Sequence, residues 1–409
     1  MKVLLTIDAV GGVWQYTAEL AIALAGQGVA CVVANLGPSP DADQRAMLGG
    51  TVAAHPSPPR TCSGGHCAPQ EVLTPLVGEW TPEQVRGDGG NKANAAPITF
   101  IDTGLPLDWM CDAAEPVLRA GDAIAALATE YAVDLIHYNM PTLAARRPPI
   151  PAIAVAHGCV STWWEAARDT PLDQGYRWHR TLTAQGLREV ERVVAPTAAY
   201  AQVLARHYRL ESLPTAVHNG RTAAVLPASD GPLPDIALTV GRLWDGVKNA
   251  GLLDRAAARL PIPFLAAGAT RGPHGETIRL DHLRALGHLS GDRIAEHLAS
   301  RPIFVSAARF EPFGLAVLEA VQAGCALVLA DIPTFRELWD GAATFVSLDS
   351  DGWCRAIEAL VLAPDTRAAL GEAARTRAAR YTPAATADAM HALYRETLAA
   401  RPAARKAAA

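Results

Sequence analysis

Two glutamates, Glu311 and Glu319, bracket the stretch EPFGLAVLE, with Pro312, Phe313 and Gly314 between them. Pro312 suits a helix entrance, Gly314 lets backbone approach a ligand closely, and AVLEAVQAG carries the apolar face of a helix. Glu311 then sits in the loop before that helix and Glu319 within its early turns. Both carboxylates are acceptors suited to pairs of sugar hydroxyls. The free N–H groups of Phe313 to Ala316 suit an anion or a hydroxyl oxygen. The plainer alternative makes Glu311 a dipole-stabilising residue and leaves Glu319 facing solvent.

Cations occur at a suitable place. GRLWDGVKN (241–249) puts Arg242 and Lys248 in one loop between a strand and a helix, at the carboxyl edge where open α/β sheets bind ligands. A guanidinium that forks and an ammonium that acts as a point charge suit a diphosphate, although such a pair alone also reads as a solvated loop. Near the start, GGVW (Gly11 to Trp14) follows an apolar run and opens a helix. Its glycines allow backbone N–H groups close to an anion or sugar oxygen, or simply make a tight turn. It is not GxGxxG, so a dinucleotide is not expected. His157 ends the run AIAVAH at another sheet edge. Trp163 and Trp164 follow it, as a platform for an acceptor ring or as packing residues.

No metal or cofactor is expected. DAD (41–43) and DSD (349–351) mimic a metal-binding Asp-x-Asp but read as turn or cap carboxylates. CSGGHC (62–67) lacks a second ligand pair at zinc spacing. Seven scattered cysteines, no membrane-length apolar run and a Val3 to Ile7 run too short for a signal segment give a cytoplasmic expectation. A net charge of −5 argues against nucleic acid and makes any anionic ligand depend on a few local cations. Arg177, Arg180, Arg188 and Arg192 are interspersed with acids, which leaves at most peripheral membrane contact.

The elements that must position these residues alternate β and α twice. Lys2 to Ile7, Val29 to Asn35, Ile98 to Asp102, Asp134 to His137, Ala152 to Ala156 and Arg192 to Ala195 read as one parallel strand set, with helices between several of them. Thr215 to His218, Ile236 to Val240, Pro263 to Ala267, Pro302 to Ser306, Ala326 to Ala330 and Thr344 to Ser347 read as a second. With 409 residues, this predicts two doubly wound, Rossmann-like α/β domains, 1–212 and 213–382, facing across a cleft, and a last helix over 383–409 packing back on the first. Residues 55–97, dense in Pro, Gly and small polar residues, read as a mostly disordered insertion.

Taken together, EPFGLAVLE resembles the E-x7-E signature of family 4 retaining glycosyltransferases (glycosyl transferases group 1). The GGV turn, the GRL…KN loop and AGCALVLADIPTFREL stand in that family's order. The resemblance spans almost the whole chain outside 55–97 and implies the GT-B fold. It also implies that Gly11 and Gly12 line the cleft and that Arg242 and Lys248 hold a nucleotide diphosphate. Glu311 with the amides of Phe313, Gly314 and Leu315 would hold the donor sugar, Glu319 the ribose, and Leu289, in Gly287 to Leu289, would lie beside the base. His157 matches a histidine near the transferring carbon. Asn219 and Gly220 match an NG turn, but the usual NGVD continuation reads NGRT here.

The implied activity is metal-independent, retaining transfer of a hexose-type sugar from a nucleotide-diphosphate sugar, UDP-linked by preference, in bacterial carbohydrate biosynthesis. The acceptor would be a hydroxyl of a small molecule, a glycan or a lipid-linked molecule. The alternatives are a nucleotide-sugar epimerase of the same fold and an inactive sugar-binding scaffold.

Overall fold

The computed structural model describes residues 1–48, 53–54, 76–80, 95–226, 231–273, 275–348 and 351–407. The first sheet holds β1 (Lys2–Asp8), β2 (Ala30–Leu36), β3 (Ala53–Ala54), β4 (Leu76–Trp80), β5 (Ile98–Leu105), β6 (Leu135–Tyr138), β7 (Ala152–Val155), β8 (Arg192–Ala195) and β9 (Thr215–Ala216). Their order is β3-β4-β5-β2-β1-β6-β7-β8-β9. The second sheet holds β10 (Ala237–Val240), β11 (Phe264–Ala267), β12 (Arg284–Gly287), β13 (Ile303–Ser306), β14 (Leu327–Ala330) and β15 (Thr344–Val346), ordered β12-β11-β10-β13-β14-β15. Pairing is parallel throughout the second sheet, and in the first everywhere except where β4 pairs with β3 and β5.

Alternation along β1 shows why the sheet is covered twice. Val3, Leu5 and Ile7 join one core with residues of the helix Gly12–Gly26, whereas Leu4 joins the other with Val117, Ala120 and Ile124 of the helix Ala114–Glu130. Successive side chains of a strand point to opposite faces, so a continuous apolar run is what a doubly covered strand requires. The helix Pro383–Ala407 places Ala387, Met390 and Tyr394 in the first of these cores, beside Gly12–Gly26. No helix among the described residues is long and apolar enough to cross a membrane.

Two expectations of the strand sets are corrected. Thr215 to His218 does not open the second strand set: β9 hydrogen-bonds in parallel to β8 at the far edge of the first sheet, so a boundary after residue 212 cuts that sheet. The second sheet instead gains β12, an exposed edge strand. The 55–97 insertion lies mostly outside the described residues, as does CSGGHC, but its Leu76–Trp80 forms β4 against β5. Among the described residues no cluster of His, Cys, Asp and Glu could hold a metal. Asp41 caps the helix Ala42–Met47 by accepting from Gln44 N at 2.8 Å. Asp351 precedes the helix Gly352–Leu362, and Asp349 and Ser350 lie outside the described residues.

Each sheet reverses its strand order beside a central strand. β1 lies between β2 and β6, and β10 between β11 and β13, so each reversal leaves a crevice at the carboxyl ends of these strands. The segments leaving those ends carry Gly11 and Gly12 in one half, and Arg242 and Glu311 in the other.

Candidate active site

A cavity of about 670 Å³ lies between the two sheets, lined from both. At its first wall the turn after β1 brings Gly11 and Gly12 against the second half. A Cβ on Gly12 would lie 3.1 Å from Leu315 Cδ1, and one on Gly11 would lie 3.7 Å from Arg242 Nη1. A side chain at Gly12 would crowd Leu315, whereas one at Gly11 would make only an ordinary contact with Arg242, so it is Gly12 that the close approach across the cleft requires.

On the opposite wall Lys248 Nζ donates to Glu311 Oε2, an ion pair with both side chains largely buried. Arg242 is half exposed and donates through Nη2 to Asp245 Oδ2 at 3.0 Å. Asp245 is itself buried, and its other oxygen accepts from Trp163 Nε1 of the first half at 2.9 Å. One carboxylate thus fixes both the cation and the indole. Trp163 and Trp164 both line the cavity, on a helix, Val160–Ala167, that the sequence reading did not place. Trp164 Nε1 is bound to Thr170 O at 3.0 Å, and the guanidinium of Arg168 lies 5.9 Å from each indole centroid.

Gly314 adopts φ +93, where a Cβ would come within 3.1 Å of Glu311 Cγ and 3.3 Å of Phe335. It starts the helix Leu315–Gln322 and presents that helix's free N–H end to the cavity. Leu315 lines the cavity, whereas the Phe313 ring is buried against Tyr381, leaving its backbone to face the cleft. Glu319 lies one turn further on and lines the cavity, partly buried. Leu289, expected beside the base, lies past the exposed edge strand β12 and is not among the lining residues. Trp244 and Glu276 line the cavity from the loops after β10 and β11.

The NGRT stretch supplies what the sequence reading missed. Asn219 lines the cavity, and Gly220 packs so tightly on Thr382 that a Cβ would meet its carbonyl carbon at 2.1 Å. Arg221 then donates through Nε to Glu319 Oε1 at 2.8 Å and through Nη1 to Glu19 Oε1 at 2.6 Å. Glu19, from the helix that starts at Gly12, also accepts from Thr222 N at 2.8 Å. Burial raises its carboxyl above the usual range, and Arg221 offsets only part of that.

His157 sits at the cavity wall after β7, its Nε2 2.9 Å from Asn139 Oδ1 and its ring edge-on to Tyr16 at 4.4 Å. Asp8, at the end of β1, also lines the cavity. Burial raises its carboxyl and nearby Asp108 adds to this, against a hydrogen bond from Val10 N at 2.9 Å. A charged residue ending an otherwise apolar strand was the available signal for Asp8. Nothing in the sequence pattern marked Asn139, Glu19 or Asp245.

A two-domain α/β chain with cations, carboxylates and glycine turns facing one interdomain cavity has the architecture of a GT-B glycosyltransferase. Residues 85–223 match the family described as Glycosyltransferase Family 4, and residues 274–377 match Glycosyl transferases group 1. The chain is 26% identical over 349 residues to a D-inositol 3-phosphate glycosyltransferase of Saccharomonospora viridis, covering 75% of this chain and 79% of the relative. A second protein so named, from Corynebacterium jeikeium, is 31% identical over 180 residues, 38% of this chain and 42% of that one. Among solved structures, sucrose-phosphate synthase from Thermosynechococcus elongatus superposes with a TM-score of 0.70 at 18% identity, covering 98% and 100% of the two chains. Anabaena HepE in complex with UDP-glucose gives 0.65 at 16% identity, covering 98% and 100%. The chain belongs to the family 4, group 1 glycosyltransferases and has the GT-B fold.

Proposed function

We propose that this glycosyltransferase moves a hexose-type sugar, with retention of configuration, from a nucleotide-diphosphate sugar to a hydroxyl acceptor. The observation that carries the reading is the convergence of Arg242, Lys248, Glu311 and Glu319 on one cavity with the Gly11–Gly12 turn facing them. Arg242 and Lys248 would take the diphosphate, Glu311 and the amides around Gly314 the sugar, and Glu319 the ribose. UDP is favoured as the carrier because the similar HepE structure is described as a complex with UDP-glucose. A polyhydroxylated acceptor, on the side of His157, Trp163 and Trp164, draws on the relatives named for D-inositol 3-phosphate.

The chemistry would be front-face. The C1–O bond to the diphosphate breaks as the acceptor oxygen bonds C1 on the same face, and the acceptor proton passes to the departing phosphate oxygen. Arg242 and Lys248 stabilise the charge that develops there, and no resident metal is invoked.

A thermal-shift panel of UDP, GDP, ADP and their sugar conjugates, on wild type and Glu319→Ala, tests the donor half. A ligand at a hundredfold excess over its Kd stabilises the native state by about 2.7 kcal/mol. A shift confined to one nucleotide and lost in Glu319→Ala is expected. No shift with any nucleotide, from folded protein, would sink the reading. Anomeric analysis of the product by NMR then tests retention, and donor converted without acceptor would favour the epimerase.

A further inference from the structure

A polar chain runs behind His157 and reaches the last helix. Tyr394, on that helix, lies with its hydroxyl 2.6 Å from His137 Nδ1. His137 Nε2 lies 3.0 Å from Asn139 Oδ1, and His157 Nε2 lies 2.9 Å from the same oxygen. The carboxamide cannot be turned round, because its nitrogen donates to the Thr6 carbonyl at 2.6 Å and to Thr17 Oγ1 at 2.8 Å. A backbone carbonyl only accepts, so the group facing it is the NH₂ and the group facing the two imidazoles is the oxygen.

That orientation dictates the protons. An amide oxygen only accepts, so both imidazoles must carry hydrogen on Nε2, and Tyr394 donates its hydroxyl proton to the bare Nδ1 of His137. Burial lowers His137 to about 4 and His157 to about 3, so both rings are neutral and each keeps one bare nitrogen. For His157 that nitrogen is Nδ1, which has no hydrogen-bond partner among the described residues and is not among the buried unsatisfied polar atoms, while the residue lines the cavity.

We propose that Asn139, anchored through His137 by Tyr394 of the last helix, is a positioning residue that locks His157 as an acceptor, with Nδ1 presented to a substrate hydroxyl in the cleft. The proposal rests on the glycosyl-transfer reading of this cavity only for the identity of that hydroxyl. A free ring could expose either nitrogen, and some of those states would offer an N–H where a hydrogen bond from the hydroxyl must be accepted. The lock also makes the last helix, contributed from beyond the second sheet, part of the support for the site in the first half.

Ring-nitrogen NMR of ¹⁵N-histidine-labelled protein, with His157→Gln to assign the signal, tests the lock without substrate. At neutral pH the His157 ring is expected to show a protonated Nε2 and a bare Nδ1. In Asn139→Ala the ring should change to mixed tautomers, and kcat should fall about tenfold to a hundredfold with a smaller change in donor KM. Tyr394→Phe should displace the His137 signal and lower kcat less.

A wild-type His157 protonated on Nδ1, or Asn139→Ala with ring signal and kcat unchanged, overturns the proposal. Should Asn139→Ala not fold, Tyr394→Phe decides, and unaltered ring signals and kcat in it overturn the proposal too. An Nε2-protonated ring that responds to both variants, in a protein that transfers no sugar from any donor, supports the lock and sinks the functional reading instead.

Discussion

Arg221 holds Glu319 at 2.8 Å while gripping Glu19 at 2.6 Å, so one guanidinium ties the cavity carboxylate of the second half to the helix behind the Gly11–Gly12 turn. Gln322 Nε2 fixes the Arg221 carbonyl at 2.7 Å, which steadies the bridge from the same helix as Glu319. Removing the cation leaves two carboxylates facing each other, one of them 8% exposed. Arg221→Met is therefore expected to cost about 3 kcal/mol. Glu19→Gln in the same chain should return part of that, because the buried charge is then gone. Urea unfolding of the single and double variants checks it, and additive losses would refute the bridge.

Lys248 has Glu311 as its partner, and both lie on the cavity wall. If Lys248 serves a departing diphosphate, Lys248→Ala should lower kcat about 10²- to 10³-fold. Lys248→Met, of similar length but uncharged, should do the same. Steady-state kinetics decide, and a variant that only raises KM would move Lys248 from leaving-group stabilisation to simple binding.

Gly314 combines φ +93 with a close approach to Glu311. Gly314→Ala should lose about 1 to 2 kcal/mol from backbone conformation alone. It should also push Glu311 off Lys248, so activity should fall further than stability explains. Thermal unfolding and kcat/KM on one preparation separate the two. Unchanged kcat/KM would show that Glu311 tolerates the shift.

Much of this was legible beforehand because it rests on local chemistry. Apolar runs of doubly covered strands, the glycine turns and the E-x7-E spacing each depend on residues near in sequence, and all lie where the pattern put their elements. What was not legible depends on partners far along the chain. Trp163 and Asp245 are 82 residues apart, and Arg221 and Glu19 are 202 apart. β12 carries RALG, an exposed edge strand with no apolar alternation to announce it. The short segment Thr215–Ala216 is exposed, so nothing in its pattern decided which sheet it would join. The departure from NGVD to NGRT was visible, but its meaning required Glu19 and Glu319 to be brought beside it.

Buried His137 and the half-buried His157 at the cavity wall make acid stability a test of the core beside the site. His137 and His157 are held near 4 and 3, below the 6.5 of a free imidazole, chiefly by burial. A depressed folded-state pKa means that the unfolded chain takes up protons first. Their contribution is therefore complete above about pH 6.5 and is lost as pH falls toward their folded values. Asp8 works in the opposite sense: burial raises it, so its ionisation opposes folding as pH rises above the ordinary carboxylate value. Between pH 7 and pH 5 both histidines lie in the window where the unfolded chain protonates and the native one does not, while the raised carboxyls of Asp8 and Glu19 act against them. Each histidine should lose on the order of 1 to 2 kcal/mol over that interval. Urea midpoints at the two pH values check this, with His157→Gln expected to shrink the difference. A pH 7 to pH 5 difference left unchanged by His157→Gln would mean that the His157 ring takes up its proton in the native state as readily as in the unfolded chain.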